Sequence, residues 1–352
     1  MPFSDDKDPI AEALPVEALP VVWLLGKTGA GKSSLVRALT QQSDAEIGNG
    51  FQACTPSARA YDFPPDLPLL RFLDTRGLGE ANYDPTADLA ECRNRSHVVL
   101  VVCRLDDPVQ GAVADAFEEI ARHDAKLRAI LVLTGADLLR DVGARERAQT
   151  TVFKTMSRAA RRKDLPVVTV SLSPEAEEGV EQLRAELLKV LPAVGLLLAQ
   201  DRASGDEGAA FQAIRNRVLF YAGLAASTDL VPIVGAVTVP TVQLGMLREL
   251  GQHYDVHWDR RTMSAFLGAL GVGLGARFAA SYGLRQLAKL IPVYGQTVGA
   301  AASGSISFAT TYALGRTAAY FLHTHASGSD TDEADLRAVY AKAFSRSSDA
   351  PD

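Results

Sequence analysis

Gly26-Lys27-Thr28-Gly29-Ala30-Gly31-Lys32-Ser33 follows directly on the apolar run at residues 21–25 and precedes a segment that keeps Leu35, Val36 and Leu39 on one helical face. Strand, glycine-rich turn and helix in that order, with the pattern G-x-x-x-x-G-K-[ST], read as a loop that wraps phosphate. The glycines let backbone N–H groups turn inward, and the positive end of the helix dipole converges on the same point. Lys32 is then placed to reach β- and γ-phosphates, and the Ser33 hydroxyl to ligate Mg²⁺. A strand-to-helix turn without a ligand is the competing reading, and the matching flanks weigh against it.

Outward from this loop, a polar, glycine-containing stretch at residues 43–56 leads to an expected edge strand at 58–63, closed by Pro64 and Pro65. Residues 69–73 have a buried-strand pattern and run into Asp74-Thr75-Arg76-Gly77, which sets a carboxylate at a strand's carboxyl end beside the loop, where a Mg²⁺ ligand belongs. Residues 97–103, His-Val-Val-Leu-Val-Val-Cys, are β-branched and uninterrupted, as in a central parallel strand covered on both faces. A helix at 109–122 follows, then a strand at 128–133 ending in Thr134-Gly135-Ala136-Asp137, a helix at 142–163 and a last strand at 167–172. Glu178-Gly179-Val180 opens a helix that ends near Pro192. The alternation predicts an α/β domain over residues 19–192, doubly wound around a mostly parallel sheet.

These residues resemble the Ras-like fold of translation-factor-type GTPases, in particular the Era-like bacterial branch, over residues 20–192. Five elements stand in that family's order: the phosphate loop with Lys32 and Ser33, the candidate switch threonine in Cys54-Thr55-Pro56, Asp74-x-x-Gly77, Thr134-x-x-Asp137, and Val170-Ser171 ahead of Glu178-Gly179-Val180. The resemblance implies a GTPase that binds GTP and GDP with Mg²⁺ as cofactor. By it, Thr55 completes the Mg²⁺ ligands Ser33 and Asp74, Gly77 contacts the γ-phosphate through its amide, and Asp137 pairs with the guanine edge. The nucleotide-binding set is Gly26, Thr28, Gly29, Ala30, Gly31, Lys32, Ser33, Ser34, Asp74, Gly77, Thr134, Asp137 and Ser171, with Lys32, Thr55 and Gly77 as the catalytic members.

Three positions depart from the family pattern. Gly135 replaces the lysine whose stem covers the base and braces the loop, which keeps ATP open as an alternative to GTP. Leu78 stands where Ras-like enzymes carry the glutamine that orients attacking water, so hydrolysis is expected to be slow until a protein partner or self-association completes the site. Gly29 stands where potassium-activated relatives carry asparagine, and gives no support to monovalent-cation activation.

The chain has 352 residues, 47% of them hydrophobic, enough for two cores. A net charge of −6 provides no general attraction to nucleic acid. The one short basic run, residues 158–163, lacks interleaved aromatics and reads as a solvated helix face. Cys54, Cys92 and Cys103 have neither zinc nor C-x-x-C spacing, in keeping with a reducing, cytoplasmic setting. Residues 1–18 carry Asp5, Asp6 and Asp8 and read as a disordered lead-in rather than a signal peptide.

After a linker at 193–210 the composition changes. Residues 211–325 are rich in Ala, Gly, Val and Leu, are broken by Pro232, Pro240 and Pro292, and predict a second, all-α domain. The run at 230–235, Leu-Val-Pro-Ile-Val-Gly, returns at 290–295 as Leu-Ile-Pro-Val-Tyr-Gly, the mark of duplicated helical hairpins. In this patterning the segment resembles the YcjF-like bacterial membrane-associated domains, which implies association with the cytoplasmic face of a membrane. Residues 290–315 carry no charge and exceed the roughly 20 residues of a bilayer span. Their many small residues give weak hydropathy, and the companion run at 264–283 contains Arg277. A membrane hairpin, a reversibly inserting domain and a soluble bundle therefore all stay open.

Gly295, Gly299, Ser303, Ser307, Thr311 and Gly315 recur every four residues as a stripe of small side chains, with Gly271 and Gly275 as its expected facing partner across a helical hairpin. His253 and His257 read as a solvated helical pair rather than metal ligands, since no third ligand is evident. The tail, residues 326–352, has Asp330 with Glu333 three residues on and Leu336, Val339 and Tyr340 on one face, which predicts a short capped amphipathic helix. Besides the GTPase switch, a non-hydrolysing nucleotide sensor or scaffold and a ribosome-associated GTPase remain as readings, the last without any visible RNA-binding module.

Overall fold

The computed structural model describes residues 19–42, 52–53, 58–75, 98–123, 128–173, 176–198, 205–228, 232–270, 300–329 and 331–348. The chain divides into two units, Leu19–Ala199 and Gln200–Asp352.

In the first unit the strands β1 (Val21–Gly26), β2 (Gln52–Ala53), β3 (Ala58–Phe63), β4 (Leu70–Thr75), β5 (Val98–Arg104), β6 (Ala129–Thr134) and β7 (Val167–Thr169) form one sheet in the order β2-β3-β4-β1-β5-β6-β7. Pairing is parallel from β4 through β1, β5 and β6 to β7, and antiparallel where β2 and β3 extend the β4 edge, so β3, expected at the edge, is flanked on both sides because the short β2 pairs with its outer side. The continuous apolar runs of β1, β5 and β6 explain their central places, because both faces of each are covered. Trp23, Leu25, Val99, Val101, Leu131 and Leu133 pack on one face with Phe117 and Ile120 of α2 (Gly111–His123) and with Val152 and Met156 of α3 (Val142–Ala159). The intervening Val22, Leu24, Val98, Leu100, Ile130 and Val132 are fully buried as well. Each such side chain contributes about 1.5–3 kcal/mol relative to an exposed one. The doubly wound, mostly parallel α/β fold expected from the sequence is the fold observed.

Several local expectations change. The run read as one strand at 167–172 splits: Val170 N–H donates to Leu133 O at 2.8 Å, and β8 (Ser171–Ser173) then turns into a hairpin with β9 (Ala176–Glu178). Glu178 therefore lies in a strand, and helix α4 begins at Val180 and runs to Val190. Helix α3 stops at Ala159 rather than 163, and beyond it Arg161 pairs with Glu118 and Arg162 with Asp164, so acidic partners answer part of the basic run. The supposed linker starts as helix α5 (Pro192–Leu198), whose Val194, Leu196, Leu197 and Leu198 are buried. An apolar patch with a core to cover folds onto that core.

In the second unit, α6 (Gly205–Thr228), α7 (Pro232–His253), α8 (Arg260–Leu270), α9 (Ala300–Ala326) and α10 (Glu333–Ser347) are helices, α9 packing against α6, α7 and α10, and α8 against α10. Helix α7 runs through Pro240 instead of breaking there, since packing on α6 and α9 offsets the hydrogen bond that proline cannot donate. It ends at His253, so His257 lies beyond the helix and the two are not stacked on one face. The small-residue stripe is seated on α6 and α7: a methyl group at Gly315 would lie 2.6 Å from Val218 Cγ1 and 2.8 Å from Met246 Sδ, and Gln243 Nε2 donates to the buried Thr311 Oγ1 at 3.0 Å. Its expected partners Gly271 and Gly275, with Gly295, Gly299 and the repeat at 290–295, lie outside the described residues. Asp332 rather than Asp330 caps α10, its carboxylate accepting from Ala334 N–H at 2.7 Å. No helix among the described residues is long and apolar enough to cross a membrane.

Candidate functional site

Strands β1, β5 and β6 end at Gly26, Arg104 and Thr134; Arg104 is in register with Thr134, Gly26 with Val102 two residues earlier on β5, and β4 brings Asp74 opposite Leu24. Carboxyl ends of neighbouring parallel strands thus open on one edge, the place where this topology builds its sites.

The phosphate loop turns there. Gly29 and Gly31 have φ of 76° and 93°, a left-handed backbone that costs a side-chain-bearing residue free energy. Helix α1 (Lys32–Thr40) starts directly after Gly31 with no side chain capping its first turn, which leaves its first amides to be satisfied from outside the helix. Lys32 is buried, and its ammonium donates to Gly26 O at 2.9 Å and Lys27 O at 3.1 Å while lying 3.6 Å from Asp74 Oδ1. One cation is thereby fixed across the mouth of the loop. Ser33, one residue on, is exposed.

Asp74 fits the Mg²⁺ role. Its Oδ1 is buried without a hydrogen-bond partner among the described residues. Burial raises its carboxyl above the usual range, and the nearby Lys32 only partly offsets this. A buried carboxylate oxygen that accepts no hydrogen bond and has only the Lys32 ammonium at 3.6 Å is suited to a hard divalent cation. Ser33 and Asp74 would hold the metal. Thr55 and Gly77, the other expected members, lie outside the described residues.

On the opposite side of the loop, the Thr134 hydroxyl donates to Ala30 O at 2.8 Å and ties β6 to the loop 104 positions away. Asp137 sits exposed on a short 3-10 helix, Ala136–Leu138, against which β8 packs. Ser171 at the start of β8 is buried, with a hydroxyl that has no partner among the described residues. The structure therefore gathers Thr134, Asp137 and Ser171 beside the loop.

Sequence reasoning missed Arg104, Asp106 and Asp107, the residues that follow the β5 run. Lys27 Nζ donates to Asp107 Oδ2 at 2.5 Å and to Val109 O at 3.0 Å, and Arg104 Nη1 donates to Gly29 O at 3.2 Å. Hydrogen bonds from Lys27 and Arg104 hold the Asp107 and Asp106 carboxyls below the usual range. The available signal was a cluster of charges starting at the carboxyl end of a central strand. Cys103, just before it, is a free thiol pushed up to about 12 by burial, with Asp107 adding to the shift, and so stays protonated near neutral pH.

No curated protein matches the chain. Among solved structures, the chain is similar to apo translation elongation factor SelB from Methanococcus maripaludis at 14% identity, over 49% of this chain and 33% of that one, with a TM-score of 0.34. It is also similar to a probable GTP-binding protein, engB, at 12% identity over 49% of this chain and 98% of that one, with a TM-score of 0.36. The chain spans about a third of the elongation factor's length. Residues 21–135, the stretch that carries the loop, Asp74, Arg104 and Thr134, match the family model described as 50S ribosome-binding GTPase, and to that extent the first unit is similar to P-loop GTPase domains.

Proposed function

We propose that the unit Leu19–Ala199 binds Mg·GTP and hydrolyses it to GDP and phosphate, and that its nucleotide state controls an output carried by the helical unit at the cytoplasmic face of a membrane. The observation that carries the nucleotide reading is the Lys32 ammonium set 3.6 Å from the buried Asp74 Oδ1, an oxygen that accepts no hydrogen bond among the described residues, at the mouth of a loop shaped by two left-handed glycines. Loop amides and the Lys32 ammonium hold the phosphates, and their fixed positive charge favours the negative charge that shifts between oxygens during transfer. Mg²⁺, which Ser33 and Asp74 would hold, would supply positive charge that offsets the charge of the phosphates. Asp137 reads the guanine edge, with Thr134 fixing the distance between base side and phosphate side.

Leu78 supports a second reading, a nucleotide sensor without turnover, because an apolar residue there cannot orient water. Self-association or a protein partner supplies the missing group if turnover occurs. The uncharged run at 290–315 supports membrane association.

Titration of mant-GTP into wild type and Lys32→Ala, with GTP and ATP as competitors and phosphate release measured in parallel, tests the reading. Wild type should bind and prefer GTP, while Lys32→Ala should show no measurable binding. Equal affinity in the two proteins overturns the phosphate site, an ATP preference overturns the base assignment, and binding without phosphate release selects the sensor.

A further inference from the structure

The missing lysine at Gly135 leaves a gap that a neighbouring strand fills. Gly135 has a φ of 69°, a backbone that side-chain-bearing residues rarely adopt, and a Cβ added to it would lie 3.0 Å from Asp106 Oδ1, so the Asp106 carboxylate would have to give way to a side chain there. Asp106 in turn grips Arg104, the residue in register with Thr134: Nε donates to Oδ1 at 2.8 Å and Nη2 to Oδ2 at 2.6 Å, a two-pronged pair that fixes the guanidinium plane. The remaining nitrogen, Nη1, reaches the loop at Gly29 O, one residue before the carbonyl that Thr134 holds. The Arg104 side chain is still 37% exposed, so one part of it faces outward. Asp137 is near enough to favour its charged form.

We propose that Arg104, oriented by Asp106, is the base-positioning residue of this nucleotide site, its guanidinium bracing the loop at Gly29 and presenting a flat cationic face to the purine beside Asp137. This rests on the nucleotide reading above. A planar, permanently charged group stacks on an aromatic ring while its edge stays hydrogen-bonded, a combination that an ammonium cannot reproduce. The role falls to β5 rather than to the loop after β6, because position 135 is a left-handed glycine with the Asp106 carboxylate close against the place a Cβ would take.

The test uses the full chain and displacement of mant-GDP by GDP, by ADP and by inorganic pyrophosphate, in wild type, Arg104→Ala, Arg104→Lys and Asp106→Ala. Arg104→Ala should weaken GDP binding about ten- to a hundredfold, the range of a lost charged contact, and shrink the preference for GDP over ADP. Pyrophosphate, which has no base, should lose far less. Arg104→Lys should recover only part of the affinity, and Asp106→Ala should fall between Lys and Ala. An equal loss for GDP and pyrophosphate would reduce Arg104 to a loop brace and overturn the assignment, as would wild-type GDP affinity in Arg104→Ala. If wild type itself does not bind mant-GDP, the nucleotide reading fails and this inference fails with it.

Discussion

At the scale of single residues, Asp74 shows a site held at the expense of stability. Its carboxyl is raised by burial, so the fold favours the protonated form, and stability is lost as pH rises from the ordinary carboxylate range through the raised value. Asp74→Asn mimics the neutral form. The metal-free protein should therefore melt higher than wild type at neutral pH, the advantage vanishing as pH falls below the ordinary carboxylate range, while Mg²⁺ should no longer tighten GTP binding. Thermal melts across pH, with mant-GTP titrations in Mg²⁺ and in chelator, check this; a variant that melts lower at neutral pH while keeping its Mg²⁺ response would refute it. Lys32 and Asp74 were legible in the sequence because each belongs to a local pattern, a strand end followed by glycine. Arg104 was not, because its partner Gly29 lies 75 positions away and nothing short of strand register brings the two together. Ser171 fell between these cases: its motif marked the place, but the hairpin that buries it left no periodic trace.

At the scale of elements, uninterrupted apolar runs identified β1, β5 and β6, and the absence of alternation hid the two-residue β2. The stripe on α9 was visible as a spacing, but its partner was not, since four-residue periodicity specifies a face and not what covers it. The described part of that face meets α6 and α7 at Val218 and Met246. Val218 is buried and stiff, so a larger side chain at 315 has to move helix backbones. Gly315→Leu should destabilise the helical unit by about 1–3 kcal/mol or more through overpacking. Gly268 in α8 provides the control, since a Cβ there meets nothing within 4 Å. Gly268→Ala should stabilise by about 0.5–1 kcal/mol, as expected for removing a glycine from a helix interior. Calorimetry of the full chain reads both effects. Opposite shifts are expected, and a Gly315→Leu transition at the wild-type temperature would mean that α9 is not seated on α6 and α7.

At the scale of the whole molecule, the boundary between units follows from what each core needs. The sequence suggested a cut near residue 192, where the last amphipathic helix meets proline and a polar stretch follows a few residues later. Pro192 instead opens α5, and Val194, Leu196, Leu197 and Leu198 are all at least nine-tenths buried within Leu19–Ala199, against α4 among others. Removing four such side chains from the core forfeits on the order of 6 kcal/mol or more by area, even at the low end for each, and leaves their partners on α4 facing water. Domains of this size have only about 5–15 kcal/mol in hand. Two fragments should therefore behave differently although they differ by seven residues. The fragment 19–199 should unfold cooperatively and bind mant-GDP within about threefold of the full chain, a difference of well under 1 kcal/mol. The fragment 19–192 carries every residue expected to touch nucleotide, yet it should melt far lower or fail to fold, and lose binding with its fold. Denaturant melts and mant-GDP titrations on both fragments decide it. Equal stability would mean that α5 only lies on the surface of the first unit, and a 19–199 fragment unable to fold alone would mean that the nucleotide unit depends on its helical neighbour for stability as well as for output.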